Sequence, residues 1–188
     1  MKRWIGLVCG LLLSLTVQAR EVSDVQVAET ARVGDAVLQL NGAGTRTRVI
    51  IDVYVAALYL TQKSASAEAV LNDTGPQRLA LHMLYGMKSS KLLDAFKAAI
   101  EANHSPTELA ALGAKLNQFY AIFESVSGVS PGDVILLDYL PGSGTRVLIK
   151  GVDKGVVEGA DMHRALLKIW LGAHPVQDSL KKELLGFQ

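Results

Sequence analysis

The sequence predicts an α+β fold built on an antiparallel sheet, and three observations predict it. Runs of β-branched and aromatic residues recur on both sides of the chain's midpoint. Between them lie two segments with apolar residues at helical spacing. A glycine-rich turn, Leu140-Pro-Gly-Ser-Gly144, joins two strand-like runs directly. At 188 residues, with 49% hydrophobic and 20% charged residues, the chain is sized for one domain with a substantial core.

Residues 1–19 read as a secretory signal peptide. Met1-Lys2-Arg3 is a short basic start, Trp4 to Val17 is apolar, and Val17-Gln18-Ala19 offers compact residues at the positions a signal peptidase reads. The apolar run is shorter than the ~20 residues of a membrane span. Cleavage before Arg20 therefore leaves a single domain, residues 20–188, with no stable membrane insertion. The only cysteine, Cys9, leaves with the leader, so the mature chain has no disulfide or thiolate metal site. Losing Lys2 and Arg3 moves the formal net charge from +1 to −1, so no excess of positive charge argues for nucleic acid or anionic lipid as a partner. An exported, cysteine-free, neutral domain of this kind is expected in a periplasm.

The elements follow in order. Arg20 to Ala36 is mixed and peripheral, with Val25 and Val27 alternating as in a short strand, and Gly34-Asp35 reads as a turn. Val37 to Leu40 is a short strand entering an Asn41-Gly-Ala-Gly44 corner. The stretch to Leu60 then reads as one long central strand, dense in Val, Ile and Tyr. Ser64 caps a short helix over Ala65 to Leu71, stopped by Asn72-Asp-Thr-Gly-Pro76. Arg78 to Tyr85 is another strand. Ser89 or Ser90 starts a helix whose stripe is Leu92, Leu93, Phe96, Ala99 and Ile100. Ser105-Pro-Thr-Glu108 is a capping box opening a helix that buries Leu109, Leu112, Leu116, Phe119, Ile122 and Phe123. Val134–Tyr139 and Thr145–Lys150 form the hairpin, a turn leads to Val156-Val157, and helices follow over Ala160–Leu171 and Val176–Leu185.

The residue types that carry chemistry are sparse. His82, His104, His163 and His174 show no metal-ligand interval backed by carboxylates, and no metal or other cofactor is expected. Ser143 sits between adjacent glycines with no helix after it, so it is a turn residue and not a nucleophile elbow. Gly42-Ala-Gly44 lacks the helix start of a phosphate cradle and reads as a corner or bulge that lets another backbone come close. Arg46 remains.

Asn41-Gly-Ala-Gly-Thr-Arg46 followed by Asp52-Val-Tyr-Val-Ala-Ala-Leu-Tyr-Leu60 resembles the signature of the chalcone isomerase-like superfamily. The Leu-Pro-Gly-Ser-Gly-Thr145 hairpin, Trp170-Leu-Gly, Pro175-Val and Leu180-Lys-Lys-Glu-Leu-Leu-Gly186 resemble its bacterial exported branch, so the likeness runs from about Val33 to Gly186. The resemblance implies an open-faced β-sandwich, a large antiparallel sheet with helices layered on one face and a cleft between. In the plant isomerases the arginine matching Arg46 stabilises the enone oxyanion. The enzymes' threonine falls here at Tyr54, and their helix tyrosine and asparagine fall near Leu92 and Ala99. Tyr54 matches instead the fatty-acid-binding members, where arginine and tyrosine hold a carboxylate.

One geometric question follows. On an unbroken strand Arg46 and Tyr54 share a face but stand ~26 Å apart at ~3.3 Å per residue. Either a tight turn lies between Thr47 and Val53, which contain no glycine, proline or asparagine, or the two do not cooperate. The first functional expectation is an exported, non-catalytic protein binding a small lipophilic or carboxylate ligand, such as a fatty acid, through Arg46 and Tyr54. The second is an intramolecular lyase-type isomerase of a phenolic or enone substrate with Arg46 as electrophile. The third is an envelope interaction protein.

Overall fold

A computed structural model describes residues 19–187; the proposed signal peptide and Cys9 lie outside them, apart from Ala19. The chain runs β1 (Ala19–Val22), β2 (Val25–Ala28), β3 (Thr30–Val33), β4 (Ala36–Arg48), β5 (Ile51–Leu60), α1 (Ala67–Asn72), β6 (Gln77–Met83) and β7 (Met87–Lys88). It continues through α2 (Ser89–Ala102), α3 (Pro106–Glu124), β8 (Gly128–Val129), β9 (Val134–Leu140), β10 (Gly144–Ile149), β11 (Val152–Glu158), α4 (Ala160–Leu171) and α5 (Asp178–Leu184). Seven strands form one antiparallel sheet in the order β11-β10-β9-β6-β5-β4-β3. Helices cover one face, so the α+β architecture with helices layered on a large antiparallel sheet stands as read.

The two faces carry separate cores. Ala56, Leu58, Leu60, Leu79, Leu81 and Met83 pack against the helices, where Phe96, Phe119, Phe123 and Trp170 fill the space between layers. The ring centroids of Phe119 and Phe123 are 4.9 Å apart, and Phe96 lies 5.0 Å from Phe123. Val55, Ala57 and Tyr59, the alternate residues of β5, face the other way and meet Val27, Val33, Leu38 and Leu40. The stretch from Arg20 to Ala36, expected to be peripheral, thus supplies a second layer: the β1–β2 hairpin and edge strand β3 bury part of the sheet's back.

The capping box is present, Ser105 Oγ accepting from Glu108 N and the Glu108 carboxylate accepting from Ser105 N. Other helix starts differ by a residue or two. Ser66 and not Ser64 caps α1, and α5 begins at Asp178. Ser89 is the first residue inside α2, where its hydroxyl donates to the Phe123 carbonyl and ties α2 to the end of α3.

The larger correction is at the central strand. Leu40–Leu60 is not one strand but most of a β4–β5 hairpin that turns at Val49-Ile50, with Arg48 opposite Ile51. Asn41-Gly-Ala-Gly44, expected to be a corner, lies inside β4. Val49 alone of the two turn residues has positive φ, +60°. That is the pattern of a turn whose first position ordinarily takes glycine, and for an L residue it costs roughly 1–2 kcal/mol.

The sheet–helix core also contains a buried polar cluster. His163 Nε2 lies 2.9 Å from Gln77 Oε1 and its Nδ1 3.2 Å from Thr145 Oγ1. The Gln77 amide nitrogen is committed to the Val70 carbonyl at 3.0 Å. Its oxygen therefore faces the ring, which puts the imidazole proton on Nε2 and leaves Nδ1 to accept from Thr145. The ring stacks on Tyr139 with centroids 4.4 Å apart. Burial holds His163 neutral, its pKa lowered from 6.5 to about 3. Between those values the unfolded chain binds the extra proton, so the stabilisation is complete above pH 6.5 and drains away as pH falls toward 3. Urea unfolding at pH 6.5 and pH 5 is expected to show the wild type losing about 2 kcal/mol more than His163→Gln over that interval.

Candidate functional site

The site is built where α5 lies across β4. Gly42 and Gly44 point at the helix, and a Cβ on Gly42 would meet the carbonyl oxygens of Glu183 and Leu184. A Cβ on Gly44 would meet the Glu183 side chain. The close backbone approach expected of this glycine pair is therefore real, made by the last turn of α5 and not by a corner. Asn41 pins the same turn, its Nδ2 donating to Leu184 O at 2.7 Å and to Ser64 O at 3.0 Å while its Oδ1 accepts from Ser64 N at 2.7 Å.

The other end of α5 is tied to β4 by Gln177. Its amide oxygen accepts from Thr47 N at 3.0 Å and from Arg46 Nη1 at 3.1 Å, and its nitrogen donates to Thr45 O at 3.2 Å. Arg46 is half-buried and also donates from Nη1 to its neighbour's carbonyl, Thr47 O, at 2.5 Å. Among the described residues the guanidinium is in no ion pair.

Tyr54 is the cross-strand partner of Arg46. The hairpin brings the two together, which an unbroken strand could not, and both face the helix layer. Tyr54 is buried, and its hydroxyl oxygen accepts from Trp170 Nε1 at 2.9 Å, which leaves its own hydrogen to donate. Burial pushes the phenol up to about 12, against the smaller opposing effects of the Trp170 hydrogen bond and the Arg46 charge. Tyr54 is therefore a neutral donor at any ordinary pH, beside a permanent cation. Phenol and guanidinium can converge on one carboxylate, the phenol by a single hydrogen bond and the guanidinium by its fork.

Two recesses open in the surface near α5. A recess of about 280 Å³ lies between β1 and α5, lined by Arg20, Val22, Gly44, Glu183 and Phe187. Another of about 360 Å³ lies between α1, α4 and α5. Neither is lined by Arg46 or Tyr54. Gln177 and Trp170, the immediate polar neighbours of the pair, were not singled out from the sequence as site residues. Trp170 stands in the sequence as part of the Trp170-Leu-Gly likeness, and nothing local distinguishes Gln177 from any other glutamine. Leu92 and Phe96 are buried core and Ala99 packs at its edge, so none adds a polar group to the site.

The family model described as chalcone isomerase-like matches residues 19–186. No curated protein sequence matches the chain. Among solved structures the fold is similar to a fatty-acid binding protein of Arabidopsis thaliana. The two share 18% identity and a TM-score of 0.62 over 84% of this chain and 91% of that one.

The seat of α5 makes a direct prediction. Gly42→Ala is expected to lose roughly 1–3 kcal/mol in chemical denaturation through overpacking against backbone. Gly113→Ala, in α3 with nothing near the added carbon, is expected to gain roughly 0.5–1 kcal/mol from helix propensity.

Proposed function

The chain belongs to the chalcone isomerase-like family, and we propose that this member is an exported, non-catalytic protein that binds a small lipophilic carboxylate, a fatty acid being the simplest such molecule. The observation that carries the reading is the direct opposition of Arg46 and Tyr54 across the hairpin. A guanidinium with no acidic partner among the described residues and a phenol with a free hydrogen stand on one face, next to an apolar interior. The structural neighbour, a fatty-acid binding protein of the same fold, supports the ligand class. The apolar leader supports export to a periplasm.

Gln177 deepens the reading. Its amide oxygen occupies a place on Arg46 where a carboxylate oxygen would sit. Binding then exchanges a neutral amide for an anion on the same donor. The acyl chain would enter by parting side chains of the sheet–helix core, which is closed in this structure. An isomerase role draws less support, because the polar groups the plant enzymes place on the first long helix fall near Leu92 and Ala99. The filled core favours a second reading, an envelope interaction protein with a vestigial site.

Native mass spectrometry of the gently purified protein separates these. An acyl mass that co-purifies with the wild type and disappears in Arg46→Ala supports binding. An empty wild type that also fails to take up added palmitate points to the interaction reading. Cyclisation of a chalcone that falls with Arg46→Ala would point to the isomerase. On the binding reading Gln177→Ala is expected to tighten palmitate affinity by about fivefold, because it removes a competing hydrogen bond of roughly 1 kcal/mol. Titration followed by Trp170 fluorescence measures it.

A further inference from the structure

Large apolar side chains gather at one end of the sheet. Among the described residues seven large hydrophobics are exposed, and five of them, Val49, Ile50, Ile51, Tyr85 and Val152, stand where β4 passes to β5, where β6 ends and where β10 turns to β11. Val49 is 92% and Ile50 89% exposed. Val49 also holds φ +60°, where a β-branched residue is strained and glycine is not. Neither side chain helps the fold through burial, and Val49 opposes it through its backbone. Strain kept at an exposed apolar tip marks a surface that something else covers.

The arrangement says what. The apolar residues stand on separate turns and project; none lines either recess in the surface. Projecting tips suit a fluid apolar phase better than the fitted holes of a protein partner. Arg48, exposed directly before Val49, is in no ion pair among the described residues. Asp52, Asp133 and Asp153 stand at the same end, hydrogen-bonded by Thr47 Oγ1, Ser130 N and Gly155 N, and with only Lys150 paired to Asp133 this end carries no excess of positive charge. Tyr85, half-exposed and bonded through its backbone to Val53, is the aromatic type that sits at headgroup depth.

We infer that this end of the sheet docks shallowly on a lipid bilayer, Val49 and Ile50 entering the acyl boundary, Tyr85 lying at headgroup depth and Arg48 meeting a headgroup phosphate. Docking stands apart from the ligand proposed above, though Arg46 lies two residues along β4 from Arg48, close to where a lipid would leave the bilayer.

The test is flotation of residues 19–188, which carry every element of the fold, with vesicles of phosphatidylcholine and phosphatidylglycerol. The wild type is expected to float with or without phosphatidylglycerol in the vesicles. Val49→Gly with Ile50→Ser is expected to lose about tenfold or more in partitioning. Its melting temperature should be equal or higher, because the glycine relieves the turn. Arg46→Ala should float as the wild type does while losing palmitate, which keeps failure of docking distinct from failure of ligand binding. A wild type that stays in the dense fraction overturns the inference, and so does a double variant that floats unchanged.

Discussion

The seat of α5 on β4 is the contact on which the rest depends. A helix can lie this close to a strand only where the strand shows it no side chains, and Gly42 and Gly44 meet that condition. Asn41 fixes the helix's last turn and Gln177 its first, so α5 is fastened at both ends along one strand. Arg46 is the first large side chain β4 can present on that face beyond the helix. The segment Asn41 to Arg46, which looks like a ligand-binding motif when read as sequence, is first of all the footprint of a helix. Its arginine becomes available to a ligand because the footprint ends there.

The two kinds of buried polar group in this fold differ in a way that sets the site apart. Asp138, fully buried, accepts from Arg78 Nε and Nη2 at 2.6 Å each and from Arg146 Nη2 at 3.2 Å, so its charge is answered by cations on both neighbouring strands. His163, Gln77 and Thr145 form a closed neutral set. Arg46 is answered by amide and carbonyl oxygens alone. A half-buried guanidinium held by neutral acceptors keeps its full attraction for an anion, since no carboxylate among the described residues pairs with it. That contrast separates Arg46 from the structural arginines of the same sheet.

Local chemistry made some elements legible and hid others. The Ser105–Glu108 box, the stripes through Phe96 and Phe119 and the Leu140–Gly144 hairpin follow rules that act within a few residues, and each is found where those rules place it. The β4–β5 turn stood only as an alternative to one long strand because it breaks the rule. Val49 occupies a position that calls for glycine, and a Val-Ile pair between strand-like runs reads as more strand. The bulge beside Asn41 was one of two readings of the glycine pair, but its effect on which face Arg46 takes had no local signal. Leu38 and Leu40 face the back of the sheet, yet Gly42, Gly44 and Arg46, of the same parity, face the helices, because the register shifts between Leu40 and Gly42. Gln177 reaches β4 from more than a hundred residues away, and nothing near it in sequence reports that contact.

The pairing of Arg46 with Tyr54 shows how such hidden features combine. On one unbroken strand the two would share a face because eight residues separate them. In a hairpin that argument fails. With Arg48 opposite Ile51 and Thr47 opposite Asp52, the next step along an unbroken ladder sets Arg46 against Val53, and Tyr54 then points to the other side of the sheet. The ladder skips one residue there. Val53 is left over on β5, its carbonyl taken by Leu84 N and Tyr85 N from the chain beyond β6, and Arg46 comes opposite Tyr54. The right face is thus reached through two irregularities that offset each other in parity, a glycine-free turn and a one-residue bulge. A one-residue bulge moves a whole strand's side chains between faces, so Val53 decides whether guanidinium and phenol can meet one anion, without a polar side chain of its own.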